Sequence, residues 1–432
     1  MIDLSTVRSM AELAAALQWL RRQRKLTYRQ MERKAEKHSE VLSTSTLTDM
    51  LKNHRITHDK MLIFLTVCDV VGSEQLPWVD AYVAANGGTV STKRQSRDFF
   101  RHLISHHTAL FAGRDAEAAR ILNFVARQRR GYVFVEALSG YGKTSLLAHL
   151  IDGHPEFSYH FISQAYRRSG SGFDPTRPEH VMESLCEQLN PGHLAGRSLP
   201  ELEQEFMHLL AKPPAHPTVV VLDAIDELEP PDQLRALLPA RATLPPGLVI
   251  VLSARTQGDR CHLTTVGLSI KEMDLHLTLS GLDQSALVDL LDSAGGAASQ
   301  LARDDDFVKE LHVVSQGDPF YLRFLVEDVA RGVLTRDSVS QTPTGLEAYL
   351  DLQLDMLRRS AHRPQHVSIL GFLLEAEVLS RVDLMNLVPE LTWMDFDSVV
   401  AEIHRFLLVH DNEYTFCHAR FRDYFKGKNS AR

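Results

Sequence analysis

An α/β core carrying a parallel sheet, preceded by an all-α head, is the fold class this sequence predicts, and three observations predict it. Residues 131–136, "GYVFVE", are a short β-branched and aromatic run that leads through a glycine-containing loop into the apolar "SLLAHLI" of residues 145–151. Residues 218–223, "TVVVLD", and 247–256, "GLVIVLSART", are two more brief apolar runs, each ending in polar residues. Strands buried on both faces read as continuous apolar runs, not as alternation, which is the mark of a parallel sheet. Residues 10–84 instead carry apolar positions at helical spacing.

The 432 residues exceed one ordinary core, so three or four domains are expected. With 44% hydrophobic and 24% charged residues the chain belongs with globular proteins, not with disordered ones. The N-terminal "MIDLSTVRSM" contains an acid and no apolar core of a signal peptide, and no apolar run approaches membrane-spanning length. No membrane partner is therefore expected. Cys68, Cys186, Cys261 and Cys417 are scattered without paired spacing. This argues against a disulfide framework or a cysteine-built zinc site and makes a reducing cytoplasm the expected location. Charge is uneven. Residues 8–60 hold twelve basic and six acidic residues, a local net charge of +6, which leaves −14 for the remainder of a chain whose total is −8. A basic head on an acidic body suits a polyanion partner, and equally a solvated helix surface.

The head, residues 1–85, reads as successive helices. "MAELAAALQWLRRQRK" places Leu13, Leu17 and Leu20 on one face and Arg and Lys on the other. "TYRQMERKAEKH" starts at a Thr cap, and the short polar "STSTLTDMLKN" starts at Ser43 or Thr44. "THDKMLIFLTVCDVV" is a more apolar fourth helix, and Trp78 belongs to a fifth. Residues 86–107 are expected to be a linker, because "AANGGTVSTKRQSRD" is rich in Gly, Ser and Thr and basic. Within the core, "SGSGFDPTRP" at residues 169–178 reads as a loop.

The chemistry begins at residues 137–144. Ala137, Leu138, Ser139, Gly140, Tyr141, Gly142, Lys143 and Thr144 fit [AG]xxxxGK[ST] with strand and helix signals on the correct sides. Such glycines let backbone N–H groups close on phosphate oxygens, and the helix N-terminus adds partial positive charge. Lys143 would reach the β- and γ-phosphates, the Thr144 hydroxyl would hold Mg²⁺, and Ser145 follows in the first turn. Asp223 ends the second strand; a carboxylate at a buried strand tip is costly without a cation, and Mg²⁺ supplies one. Asp226 or Glu227 could polarise an attacking water. Arg255 ends the third strand at the same sheet edge, where it would sense a γ-phosphate.

This pattern resembles the STAND-class signalling ATPases, and within them the NACHT branch, over about residues 108–426. In that branch the Mg²⁺ aspartate is followed by a small residue, an apolar residue and two acids, as in "DAIDE" at residues 223–227. "LFAGRDAEAARI", with Gly113 and Arg114, looks like the segment that packs around adenine, and "YHFISQ" looks like the next strand. "QGDPFYLRFL" looks like the Gly-x-Pro stretch of a helical lid, with Pro319 against the base. "EYTFCHARFRDYF" looks like the winged-helix segment whose His, here His418, reaches the phosphates of ADP. The resemblance implies a P-loop NTPase core over residues 108–277, a lid over 278–345 and a winged helix over 346–432. It implies an ATP/ADP switch with Mg²⁺, slow hydrolysis and nucleotide-dependent homo-oligomers.

The head resembles repressor-type helix-turn-helix domains. That comparison places Ser43, Thr44, Ser45, Thr46 and Lys52 on a helix entering a major groove, with Arg21, Arg22, Lys25, Arg29 and Arg55 near phosphates. Two departures stand out: the long link "KAEKHSEVLST" lacks the usual Gly, and Glu32 falls where a small residue normally lets two helices meet. The expected output is transcriptional control or antiviral defence through DNA. The alternative is a helical adaptor that recruits an effector protein. No repeat period follows the winged helix, so sensing is expected to use a separate protein, the head itself, or a segment of a longer chain.

Overall fold

Five parallel strands organise the middle of the chain, in the order β2-β3-β4-β1-β5: β1 Gly131–Ala137, β2 Ser158–Phe161, β3 Thr218–Asp223, β4 Leu248–Arg255 and β5 Leu275–Thr278. They belong to a computed structural model that describes residues 7, 9–37, 42–68, 70, 78, 81–82, 85, 92–167, 173–190, 198–213, 217–229, 238–256, 262–376, 378–410 and 412–430. The apolar runs are strands because both their faces are covered: Tyr132, Phe134, Val220, Leu222, Ile250 and Leu252 share a core with Val181, Leu185 and Phe206 from the crossover helices. Register sets up the chemistry. Ala137 pairs with Arg255, and Leu222 pairs with Leu252, so the ends of β1, β3 and β4 reach one edge.

The chain divides into two compact units, one built chiefly on Met1–Gln95 and the other holding the sheet and everything that follows it. In the first, helices Met10–Gln23, Tyr28–Lys37, Thr44–Lys52 and His58–Val67 gather around Leu13, Leu17, Met31, Leu47, Met50, Phe64 and Trp78. Glu32, expected to hinder helix approach, does the reverse: its Oε1 accepts from the Thr44 backbone N–H at 3.1 Å and so ties the second helix to the start of the third. A long side chain replaces close backbone packing with a cap. Residues 38–41 of the long link, and much of the segment around Trp78, lie outside the described residues.

The expected linker is helical from Thr92 to Thr108. Its composition is polar at the start, but Phe99, Phe100, Leu103 and Ile104 are buried, and Phe100 packs on Tyr159, His160 and Phe161 of β2. Each buried phenyl ring contributes about 1.5–3 kcal/mol, which outweighs the linker-like composition. Residues 86–91 lie outside the described residues, as do 169–172 of the loop inside the core.

After the sheet come helices Gln284–Ala294, Gly296–Leu301, Asp305–Ser315 and Pro319–Ala330, the lid. Asp283, Asp304 and Asp318 cap three of them through backbone N–H groups. Helices Leu346–Arg359, Arg363–Ala376, Arg381–Leu387, Phe396–Ile403 and Ala419–Ser430 then surround a small antiparallel sheet, order β6-β8-β7: β6 Leu379–Ser380, β7 Leu407–His410 and β8 Glu413–Phe416. Helices around such a sheet make a winged helix. Lid and winged helix share one core, in which Leu287, Phe307 and Leu325 join Leu350, Ile369, Phe396 and Phe421. Among the described residues, no helix is long and apolar enough to cross a membrane.

Candidate functional site

The loop after β1 has the backbone of a phosphate cradle. Gly140 and Gly142 take φ of +80° and +85°, the left-handed region in which a side chain is strained. Gly142 caps the helix Lys143–Gly153, whose N-terminus the loop therefore presents to the cavity beside it. Ser139, Gly140, Gly142, Lys143, Thr144 and Ser145 line that cavity of about 440 Å³, but Tyr141 does not. Tyr141 contributes its carbonyl, which accepts from Arg114 at 3.3 Å. Arg114, 5% exposed, also donates to the Ser280 carbonyl and pairs with Glu117 at 3.0 Å, so it straps the loop to the end of β5. Gly113 is required by packing: a Cβ there would lie 2.1 Å from the Ala286 Cβ of the lid.

Lys143 is buried, and its Nζ donates to the carbonyls of Ala137 and Leu138 at 3.1 and 3.3 Å. Burial pushes its pKa down, against the pull of Asp223, Asp226 and Glu227. Asp223, 2% exposed, accepts from the Ser253 hydroxyl and hydrogen-bonds Thr144. Burial raises its pKa, and those hydroxyls and Lys143 oppose the rise. A buried carboxylate paired with a hydroxyl is a hard oxygen donor set, which fits Mg²⁺. The small residue after it has a reason. Ala224 sits at φ 59°, ψ 52°, and donates its N–H to Ser253 Oγ at 2.8 Å, turning the chain into the short helix Ile225–Glu227. A β-branched residue is strained there.

The two acids that follow are not equivalent. The Asp226 side chain, 2% exposed, accepts from both the backbone N–H and the Nε of Arg255. Glu227 lines the cavity, accepts from the Gln164 backbone N–H at 2.9 Å and lies 3.5 Å from Arg255. Burial lifts its pKa to about 7, with Asp226 and Asp223 adding to the rise. Arg255 also faces the cavity.

The remaining walls come from the lid and the winged helix. Pro319 opens the lid's last helix and lines the cavity beside Phe320 and Arg323. His418 packs on Phe320 with ring centroids 4.4 Å apart. Burial, together with Arg420, Lys143 and Arg255, lowers its pKa to about 3, so the ring is neutral. Its Nδ1 accepts from the Arg420 backbone N–H at 3.1 Å, which leaves Nε2 as the proton-bearing donor. Three neighbours escaped the sequence reading. Asp318 caps its helix with one oxygen and binds Arg420 with the other at 2.7 Å. Arg420 covers Gly140, where a Cβ would meet its Cδ at 3.1 Å. His107, neutral chiefly through burial, lies 3.1 Å from the Ser145 hydroxyl. A polar-looking linker hid His107. Asp318, however, was legible as an Asp-Pro helix start.

The fold is that of a P-loop NTPase. The cradle, the strand order and the aligned strand tips establish it from this chain's own coordinates. No family model matches the chain, and no curated protein matches it. Among solved structures it is similar to a STAND protein with a tetratricopeptide repeat sensor from Pyrococcus horikoshii, at 16% identity and TM-score 0.42, over 73% of this chain and 42% of that one. The match thus spans 42% of the length of that structure. It is also similar to Cdc6p from Pyrobaculum aerophilum (13% identity, TM-score 0.36, 74% and 95% covered) and to a Drosophila ORC structure bound to DNA (16%, 0.37, 74% and 90%).

In the head, Arg29, Ser45, Lys52 and Arg55 are exposed, whereas Ser43, Thr44 and Thr46 are half-buried. The Ser43 hydroxyl caps its helix by accepting from Thr46 N–H at 3.2 Å and also contacts the Thr46 hydroxyl at 2.9 Å. Arg21 donates to the Leu26 carbonyl at 2.7 Å and lies over the Tyr28 ring, so it closes the first inter-helix turn.

Proposed function

We propose that this chain is an ATP/ADP-dependent signalling switch of the STAND class, with the second motif of the NACHT branch, and that it hydrolyses ATP slowly to reset itself. The observation that supports this best is a single cavity walled by the cradle, the lid and the winged helix together. A ligand held there touches all three, so its phosphate count can bias their arrangement. In this reading Lys143 and the cradle N–H groups bind the phosphates. Thr144 and Asp223 would hold Mg²⁺, which neutralises phosphate charge when bound. Glu227 orients and deprotonates the water, because it is the acid that faces the cavity. Asp226 aims Arg255 at the γ-phosphate. Gly113 and Arg114 brace the adenine side, with Pro319 against the base, and His418 donates from Nε2 to ADP phosphate in the closed form. Exchange for ATP releases the winged helix and allows homo-oligomers to form.

The output passes through the head, to DNA for transcriptional control or defence. Arg29, Ser45, Lys52 and Arg55 are the exposed contacts of that reading. The second reading, a head that recruits an effector protein, is favoured by Ser43 and Thr46, whose hydroxyls are engaged in capping and not offered to bases. The test is nucleotide titration by calorimetry, with hydrolysis and size-exclusion chromatography on the same samples. Tight ADP binding to a monomer, with larger species under ATP, is expected. A Lys143→Ala chain that binds ATP as the parent does refutes the switch.

A further inference from the structure

The cavity has a further wall besides the cradle, the lid and the winged helix, and helix Thr92–Thr108 makes it. Leu103, His106 and His107 line the cavity from that helix, and Leu110 lines it just beyond the helix end. Their spacing of i, i+3, i+4 and i+7 is one helical face. The helix is seated by Phe100, whose ring meets that of His160 on β2 edge-on at 5.0 Å. Two imidazoles are therefore held at the cavity surface by packing elsewhere on the same helix.

The two rings serve different elements. They lie 5.3 Å apart and nearly perpendicular. His106 is engaged with the lid: its Nε2 accepts from Arg323 Nη1 at 3.2 Å, and Arg323 Nε pairs with Glu327 at 3.3 Å. His107 turns to the cradle, where its Nδ1 lies 3.1 Å from Ser145 Oγ. Burial, and then His106, Arg323 and His418, hold the His107 pKa well below the usual histidine value, so the ring is neutral. A neutral imidazole has one donor and one acceptor nitrogen, and a hydroxyl can fill either role. Which of the two donates is settled by whatever else Ser145 binds.

Ser145 stands in the first turn of helix Lys143–Gly153. The Leu146 N–H bonds the Gly142 carbonyl at 2.9 Å, which leaves the N–H groups of Lys143, Thr144 and Ser145 without an intrahelical acceptor. With Lys143 directed to the β- and γ-phosphates and Thr144 to Mg²⁺, Ser145 falls to the phosphate nearest the ribose. A phosphate oxygen offers lone pairs, so the Ser145 hydroxyl must donate to it. Its single proton is then spent, and toward His107 the hydroxyl can only accept. We propose that His107 is a positioning residue of the nucleotide site: its Nδ1–H donates to Ser145 Oγ and thereby aims the Ser145 proton at the phosphate nearest the ribose. This rests on the ATP/ADP reading of the cavity. ATP and ADP share that phosphate, so His107 sets how firmly either nucleotide is held and not which of them is preferred. Because helix Thr92–Thr108 follows the head in sequence, the segment that joins head to core is also part of the nucleotide site.

The test is ADP and ATP affinity by calorimetry on the full-length chain and its variants. His107→Leu is expected to weaken both nucleotides by about tenfold, the scale of one hydrogen bond to a charged group, with the ATP-to-ADP ratio unchanged. His107→Asn, whose amide N–H can take the place of Nδ1–H, should recover most of that loss. Ser145→Ala should cost at least as much, and adding His107→Leu to Ser145→Ala should cost nothing further, because the two residues act as one. Parental affinity in His107→Leu, a changed ATP-to-ADP ratio, or additive losses in the double variant each overturn the proposal. A second measurement needs no Leu variant. In ¹⁵N-histidine spectra of the ADP-bound parent, the His107 signals, assigned by their loss in His107→Asn, should place the proton on Nδ1; a proton on Nε2 overturns the proposal. A parent chain that binds no ADP removes the ATP/ADP reading and this proposal together. A parent that binds ADP while His107→Leu binds it equally well removes this proposal alone.

Discussion

Glu227 and Asp226 are adjacent acids with different surroundings, and the roles proposed for them follow from that. Asp226 has both oxygens committed to Arg255, while Glu227 faces the cavity with its pKa lifted to about 7. Glu227→Gln is expected to keep ATP affinity and to lower kcat by about 10²–10⁴-fold, the span of a lost general base. Asp226→Asn is expected to act through Arg255, with a smaller fall in hydrolysis and a weaker preference for ATP over ADP. Single-turnover rates and calorimetry on both variants separate the two. A pH profile adds a second check. The base form of Glu227 is the carboxylate, so kcat/KM, which reports free-enzyme pKa values, should rise as pH passes upward through about 7 and flatten above it. That inflection should vanish in Glu227→Gln. Ala224 makes a narrower point. Because it holds a left-handed backbone, Ala224→Val should destabilise the domain by roughly 1–3 kcal/mol in denaturant melts, while Ala224→Gly should not.

At the scale of elements, the contacts that join lid and winged helix include two ion pairs. One is Arg420 with Asp318, next to His418 on Phe320. The other is the largely buried trio of Arg405, Asp328 and Tyr349, in which Arg405 binds Asp328 Oδ1 at 3.0 Å. A hydrogen bond from neutral His418 to a charged phosphate, as proposed, would contribute on the order of 1.5–3 kcal/mol, roughly a ten- to hundredfold bias toward the closed form. His418→Ala should therefore speed ADP release and move part of the ADP-bound protein into larger species on size exclusion. An unchanged off-rate and monomer peak would make His418 a packing residue only. Arg405→Ala should behave differently. It strands a buried carboxylate, which costs about 3–5 kcal/mol, so the melting temperature should drop whether or not nucleotide is present.

For the whole molecule, the basic head and the acidic body are expected to meet different partners. A single head offers few exposed hydroxyls for reading bases, so its DNA binding is expected to be weak, steeply salt-dependent and little concerned with sequence. Assembly driven by ATP should tighten it by avidity, without new contacts. The measurement is salt-dependent fluorescence anisotropy with mixed-sequence duplex DNA, in ADP and in ATP. Replacing Arg29, Lys52 and Arg55 by Ala should lower the slope of log affinity against log salt. No binding at low salt in either state would assign the head to an effector protein.

Local structure was legible in the sequence wherever a motif needs a particular residue at a particular spacing. The cradle from Ala137 to Thr144, the strand ending in Asp223, the small residue in "DAIDE" and the strand ending in Arg255 are all readable from the chain, because backbone conformation and charge at a strand tip are local constraints. What the chain could not state by itself depends on approach between distant segments. Which acid faces the cavity was decided by where Arg255 arrives from the neighbouring strand. Residues 92–108 became a helix because β2 offers Phe100 an apolar surface, which no composition of a polar segment reveals. Glu32 became a cap because Thr44 folds beside it.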